Sequence, residues 1–258
     1  MHIVVCVKAI SDHLPDLGSF QKDDASGSVH MGDWDSAAVE TALNLRESSG
    51  EGRVTVLTAG PVSWEPVLRR SLGMGADAAF RVEHKPDPVN LQKTARALHE
   101  ALFVLKPDLV LCGAMGEDCM YAAIGPMLAT AGNLPFLTMA MGIEINGEGF
   151  SVLCEGEGGK RLRYALPLGC LITVQTGIYS PRYPKLSLML KADKAEIPLL
   201  DFAEKDVAFP VSAEKFTVPP PSRKVSFLEG NIEEKAGTFI HILIQRGWLQ
   251  ACIAKEGA

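Results

Sequence analysis

No run of the 258 residues reaches the ~18 consecutive apolar positions that cross a bilayer, and none gathers five or more Lys or Arg. With 25 Lys+Arg against 31 Asp+Glu the net charge is −6. Nucleic acid and membrane insertion are therefore not expected, because the one needs a basic surface and the other an apolar span. Cysteine is sparse and scattered: Cys6, Cys112, Cys119, Cys154, Cys170 and Cys252 form no Cys-x-x-Cys and have no His at metal-ligand spacing. No metal site is expected, and free thiols suit a reducing, cytoplasmic setting. The opening Met1-His-Ile-Val-Val-Cys-Val-Lys8 lacks the long apolar core and cleavage site of a signal peptide and reads as a buried strand. Also missing are a Gly-x-Gly-x-x-Gly after a strand, a Gly-x-x-x-x-Gly-Lys-Ser/Thr loop and a Gly-x-Ser-x-Gly elbow, which removes the common dinucleotide, P-loop and hydrolase signatures.

What is present is an ordinary globular composition, 47% hydrophobic and 22% charged. Short apolar runs at Ile3 to Val7, Val54 to Thr58, Ala79 to Val82 and Leu109 to Cys112 alternate with helical periodicity, the pattern of βαβ units around a parallel sheet. The clearest helix carries Leu91, Ala95, Leu98, Leu102 and Leu105 on one stripe and stops at Pro107. Others are expected from about Ser36 to Arg46, with Asp35 as N-cap, and from Trp64 to Leu72. Phe136 to Ile145, Phe150 to Glu155 and Arg161 to Leu166 alternate in polarity and are separated by Asn146-Gly147 and Gly158-Gly159, so antiparallel strands extend or flank the sheet. The expected fold is a doubly wound, mostly parallel α/β sheet over 1–193. A C-terminal arm over 194–258 follows, rich in proline at 219–221 and ending in an amphipathic helix marked by Ile232, Ala236, Phe239 and Leu243, with Asn231 and Glu234 spaced as a capping pair. That arm needs a surface to lie on, a partner subunit or the domain itself.

In an open α/β sheet, ligands sit beyond the carboxyl ends of the strands. Three stretches qualify: Lys8 to Trp34, Thr58 to Pro61, and Gly113 to Asp118. Each leads toward a helix N-terminus suited to a phosphate. Trp34 stands where an indole could stack on a ligand or pack in the core, while His13, His30 and His99 form no acid-base constellation, and Glu155 and Glu157 read as a solvated turn.

Taken in order, several segments resemble the beta subunit of electron transfer flavoproteins across almost the whole chain. They are Ile3-Val-Val-Cys-Val-Lys8, Asp35-Ser-Ala-Ala-Val-Glu-Thr-Ala-Leu43, Val54 to Pro61, Leu72-Gly-Met-Gly-Ala-Asp77, Asp108 to Gly113, Glu155 to Gly159, and Pro181-Arg-Tyr-Pro-Lys-Leu186 leading to Lys191-Ala192. The resemblance implies an adenine-nucleotide-binding fold and a heterodimer whose alpha subunit holds the redox FAD. It implies a non-catalytic beta chain carrying AMP, or a second FAD, and exchange of electrons with partner dehydrogenases and an acceptor. Carried over by position, nucleotide contacts fall at Cys6, at Gly32, Asp33, Trp34 and Asp35, at Ala59, and at Asp118, Cys119, Met120, Tyr121, Ala122, Ala123, Ile124, Gly125 and Thr130. Asp12 and His13 would approach the flavin, and Arg182, Leu186 and Lys191 would form a docking loop with Leu186 as its apolar anchor. The chain departs from the family where Asn-Pro-Phe becomes Gly32-Asp33-Trp34, placing an added carboxylate near the phosphate site. It departs again where a Thr and a Gln become Tyr121 and Ala123. A stand-alone adenine-nucleotide sensor or scaffold is the alternative reading.

Overall fold

The computed structural model describes residues 1–11, 28–86, 90–201 and 225–249. The chain divides into two compact units, residues 1–214 and 215–258. The first contains, in order, β1 (His2–Cys6), β2 (Ala9–Ser11), β3 (Val29–Met31), α1 (Asp33–Ser49), β4 (Arg53–Ala59), α2 (Glu65–Met74), β5 (Ala78–Val82), α3 (Leu91–Leu105), β6 (Leu109–Gly113), α4 (Ile124–Gly132), β7 (Phe136–Asn146), β8 (Gly149–Glu155), β9 (Arg161–Pro167), β10 (Cys170–Val174), α5 (Leu186–Ala192) and β11 (Leu199–Leu200).

Among these, nine strands form one sheet in the order β11-β5-β4-β1-β6-β10-β7-β8-β9. Pairing is parallel from β11 through β7, and β8 and β9 continue it antiparallel. The period of two along each strand sorts side chains to opposite faces. Ile3 and Val5 join the α1 and α2 side with Ala38, Leu43 and Leu68, whereas Val4 and Cys6 join the α3 and α4 side with Leu98, Leu102 and Leu128. Because both faces are covered, β1 and β6 are apolar in nearly every position, and β4 apart from Arg53, Thr55 and Thr58. The two buried threonines of β4 are satisfied locally: Thr58 Oγ1 donates to the Val7 carbonyl at 2.8 Å, and Thr55 Oγ1 lies 2.9 Å from His2 Nε2.

Several elements differ from the sequence expectation. β10 was not anticipated, although Gly169 followed by Cys170-Leu-Ile-Thr-Val174 is a short buried run; it inserts between β6 and β7 by parallel pairing. α1 begins at Asp33 with Gly32 as N-cap, so Asp35 lies inside the first turn and is not the cap. His30 stands on β3, opposite Ile10 in an antiparallel pair. Leu186 begins a short helix, α5, where a loop was expected. The end of the first unit also lies beyond 193, since Leu199 and Leu200 pair with Arg81 and Val82 and the Arg81 N–H donates to Pro198 O at 3.1 Å. Residues 202–224, which hold most of the expected extended arm, fall outside the described residues.

The described part of the second unit holds α6 (Ile232–Gln245). Its capping pair is formed in both directions: Glu234 N–H donates to Asn231 Oδ1, and Asn231 N–H donates to Glu234 Oε2, each at 2.9 Å. Ile232, Phe239, Ile240 and Ile244 are exposed on it. No helix among the described residues is long and apolar enough to cross a membrane.

Candidate functional site

From β1 the chain continues outward to β4 and β5 on one side, then returns to β6 on the other, so the strand order reverses about β1. A crevice must open beyond the carboxyl ends of the strands at such a reversal. A cavity of about 390 Å³ lies there, bordered by Cys6 at the end of β1, Ala59 at the end of β4 and Cys112 and Gly113 at the end of β6. That is within the ~300–1,000 Å³ common to small-molecule sites. Leu91, Thr94 and Leu98 of α3 supply an apolar wall, and Ser63 and Trp64 supply another after β4. The indole of Trp64 packs directly on Gly60, where any Cβ would overlap the ring, so a glycine is what lets the tryptophan lie against the strand end.

Asp35 ties two of the three strand ends together. Its Oδ2 accepts the Lys8 N–H at 2.7 Å and its Oδ1 accepts the Gly113 N–H at 3.2 Å. A Cβ at Gly113 would overlap that carboxylate and the α1 backbone, so residue 113 must lack a side chain. Burial of the carboxyl end pushes the Asp35 pKa up to about 7, against the pull of those two N–H donors and of Lys8. The loop from β6 to α4 is pinned on its outer side as well. Glu117 Oε1 accepts the Asp33 N–H at the start of α1, where a carboxylate is favoured by the helix dipole, and His30 Nε2 lies 4.0 Å from Glu117 Oε2. Lys8 Nζ meets Asp118 Oδ2 at 2.6 Å across the cleft mouth.

Between that pin and α4 the backbone is contorted. Met120 and Ala122 have φ of 54° and 51°, the left-handed region, and Ala123 returns to the right-handed region. For L side chains this costs on the order of 1–2 kcal/mol per residue, which the surrounding structure must hold in place. The turns leave the N–H groups of Tyr121, Ala122 and Ala123 without an acceptor among the described residues, and they are followed by the open N-terminus of α4 at Ile124. Consecutive free amides of this kind form a concave anion receptor that does not depend on side-chain identity. The receptor therefore does not depend on the side chains of Tyr121 and Ala123.

Of the residues expected from the sequence, Cys6, Asp35, Ala59, Asp118, Cys119, Tyr121, Ala122, Ala123, Ile124 and Gly125 all line this one cavity. Gly32, Asp33, Trp34, Met120 and Thr130 are not among its lining residues. Gly32 is buried against Ile10 and Glu117, Asp33 is exposed at the first position of α1, and Thr130 Oγ1 donates to the Pro126 carbonyl at 2.8 Å. The charge expected from Asp33 thus does not face the cavity, and the indole that reaches it is Trp64, not Trp34. Asp12 and His13 lie outside the described residues. Lys8, Trp64 and the α3 wall were missed as site residues. Lys8 carried a readable signal, a charge directly beyond an apolar parallel strand, while Trp64 could be placed only by the packing of its ring on Gly60.

The stretch expected to dock partners is built differently from a free loop. The Arg182 guanidinium is committed to α1, with Nη2 2.9 Å from Glu40 Oε1 and Nη1 2.6 Å from Glu47 Oε1. Behind α5, Lys185 N–H donates to Gly73 O at 3.1 Å, and Met189 occupies the space a side chain at Gly73 would need. Leu186 remains 76% exposed beside Tyr183 at 91%, and Lys191 is exposed in the last turn.

Comparison with known proteins identifies the family. The family model described as "Electron transfer flavoprotein domain" matches residues 24–205. The chain is 29% identical over 236 residues to an electron transfer flavoprotein subunit beta of Bacillus subtilis (strain 168), covering 88% of this chain and 90% of that one. It is 31% identical over 218 residues to the subunit beta of Megasphaera elsdenii, 79% of each. With the mitochondrial subunit beta of Oryza sativa subsp. japonica it shares 32% over 246 residues, 91% of this chain and 95% of the other. With a family model matched over residues 24–205 and relatives of 31% and 32% identity covered over most of their length, the chain belongs to the electron transfer flavoprotein family as a beta subunit.

Proposed function

We propose that this chain is the structural, nucleotide-carrying half of a two-subunit electron carrier, in which an alpha subunit holds the redox FAD and this chain binds AMP in the cavity between β1, β4 and β6. The observation that carries the nucleotide reading is the set of free N–H groups at Tyr121 to Ala123, at the mouth of a cavity with apolar walls. These amides would face a phosphate, and the Trp64 and α3 walls would enclose the purine and ribose. A nucleoside monophosphate is of a size with about 390 Å³. FAD, with more than twice as many non-hydrogen atoms, would extend out of it, so a second FAD is the less suitable occupant. FAD on the alpha subunit supplies the one- and two-electron chemistry; AMP supplies none, and the chain has no turnover of its own.

Electrons would enter from a dehydrogenase and leave to an acceptor. We assign dehydrogenase docking to the exposed face of α5, with Leu186 as anchor and Arg182 holding the platform to α1. One buried leucine contributes on the order of 1.5 to 3 kcal/mol before association costs, which suits brief contact. The exposed apolar residues of α6 would cover the alpha subunit. Free thiols at Cys6, Cys112, Cys154 and Cys170, the Cys170 thiol pushed by burial to about 11, fit a reducing compartment such as the cytoplasm.

Two experiments test this reading. Purified alone and with its alpha subunit, then denatured, the protein is expected to release one AMP per heterodimer, and FAD only when alpha is present, as read by chromatography and visible spectrum. FAD without AMP would show the beta site to be empty, and ATP on the lone chain would favour a sensor. Leu186→Ala is expected to slow electron exchange with the dehydrogenase in stopped-flow while leaving heterodimer assembly by gel filtration unchanged; loss of assembly would give α5 a structural role instead.

A further inference from the structure

We propose that Lys8 is the phosphate-selecting cation of the cavity and that Asp118 competes with the ligand for it, so the pair sets how strongly the site prefers a nucleotide over its nucleoside. The proposal rests on the adenine-nucleotide reading above. Lys8 is the one Lys, Arg or His among the described residues that line the cavity. It faces two carboxylates there, Asp35 and Asp118. The Asp35 oxygens are already taken by the backbone N–H groups of Lys8 and Gly113, which leaves Asp118 as the partner of the amine, at 2.6 Å. Gly116 lies beside the pair, where a Cβ would be 2.8 Å from Asp118 Oδ1 and in ordinary contact with Lys8 Nζ at 3.7 Å. Cys119 Sγ lies 3.9 Å from the same amine.

The consequence follows from charge. An incoming phosphate meets a lining whose single cation is neutralised, together with a further carboxylate, so full recognition requires it to take Lys8 from Asp118. Both side chains of the pair are more than a third exposed, at 38% and 39%. Such pairs are weak and exchangeable, and one anion can replace the other on the amine. The free amides of residues 121–123 line the same cavity as Lys8, and amides and amine are together assigned to one phosphate. Wild-type protein then discriminates AMP from adenosine through the amides, while the share that Lys8 could add is held down by Asp118.

The test is calorimetric titration of the nucleotide-stripped full-length chain, wild type and variants, with AMP and with adenosine. Asp118→Asn is expected to raise the AMP-to-adenosine affinity ratio roughly tenfold, because a charge-assisted bond no longer has an internal competitor. Lys8→Gln is expected to lower the ratio several-fold, to the part the backbone amides carry, while adenosine affinity stays within about threefold of wild type, and Lys8→Arg to restore it. Retained adenosine binding shows in the same experiment that each variant is folded. A ratio that does not respond to Lys8→Gln, or falls in Asp118→Asn, overturns the assignment and leaves the phosphate to the backbone amides alone. Failure of the wild type to bind either compound would sink the nucleotide reading and this proposal together.

Discussion

Arg182→Ala is expected to lower the free energy of unfolding by about 3 kcal/mol. Glu40, on the inward side of α1, is 5% exposed, so its carboxylate is almost wholly withdrawn from water. Arg182 reaches it with Nε at 3.0 Å and Nη2 at 2.9 Å, and the Arg182 backbone N–H adds a third bond at 3.0 Å. Truncating the side chain removes the two charged donors and leaves a buried carboxylate held by that backbone N–H and by Asn44 Nδ2 at 2.7 Å. Those remaining bonds keep the loss below the upper end of the range for broken buried pairs. Glu47 adds little to stability because it is half exposed, although its hydrogen bond with Arg182 holds its carboxyl below the usual range. Urea denaturation of the Arg182→Ala, Glu40→Gln and double variants checks the mechanism. The double variant should lose clearly less than the sum of the two singles, since Glu40→Gln removes the stranded charge. Additive losses, or a loss below about 1 kcal/mol for Arg182→Ala, would make the contact an ordinary surface pair. On the docking role proposed for α5, the same variant should also weaken exchange with a dehydrogenase, because the α5 platform loses its tie to α1.

Asp35 makes the second large contribution, and its signature is in pH. A carboxyl whose pKa rises from 3.8 to about 7 on folding binds its proton more tightly in the folded than in the unfolded chain. Between those values the folded state carries the extra proton, so stability falls as pH rises through the window and levels off above about 7. At 1.36 kcal/mol per unit the total is a few kcal/mol at most, and solvent access along the cavity lowers it. Asp35→Asn cannot ionise. The difference in unfolding free energy, variant minus wild type, should therefore become more positive by up to a few kcal/mol from pH 4 to pH 8. At low pH the variant should be the weaker of the two, because an amide cannot accept N–H bonds from both Lys8 and Gly113 on its two ends. Denaturation curves collected across that range decide it; a difference that stays flat with pH would mean that Asp35 titrates in the fold as it does in the unfolded chain.

How much of this was open to reading from the chain alone depends on how far apart the interacting residues are. The parallel strands ending at Cys6, Ala59 and Gly113 were legible because each is a continuous apolar run whose burial on both faces leaves no other pattern. The α3 stripe and the Asn231–Glu234 capping box were legible because their partners lie within a turn or two of each other. The family could be named because many short segments recur in one order. Ten of the expected contact residues, Cys6 through Gly125, meet at one cavity because strand ends, the loops after them and the helix starts they lead to gather at one edge of a βαβ sheet.

The rest joins residues far apart in sequence. Asp35 reads as a helix cap by its neighbours, yet it spans 78 residues to the Gly113 amide, and that contact gives it a perturbed proton. Arg182 reads as a docking cation, yet it crosses 142 residues to Glu40 and becomes an anchor. Trp34 reads as the stacking candidate and Trp64 as a helix start, yet the packing of Trp64 on Gly60 puts it, and not Trp34, at the cavity wall. Local hydrophobic period and capping are written in adjacent residues and so determine the strands, the helices and the class of fold. Which charge meets which, and what each side chain is left free to do, depends on distances that exist only after the sheet has closed around β1.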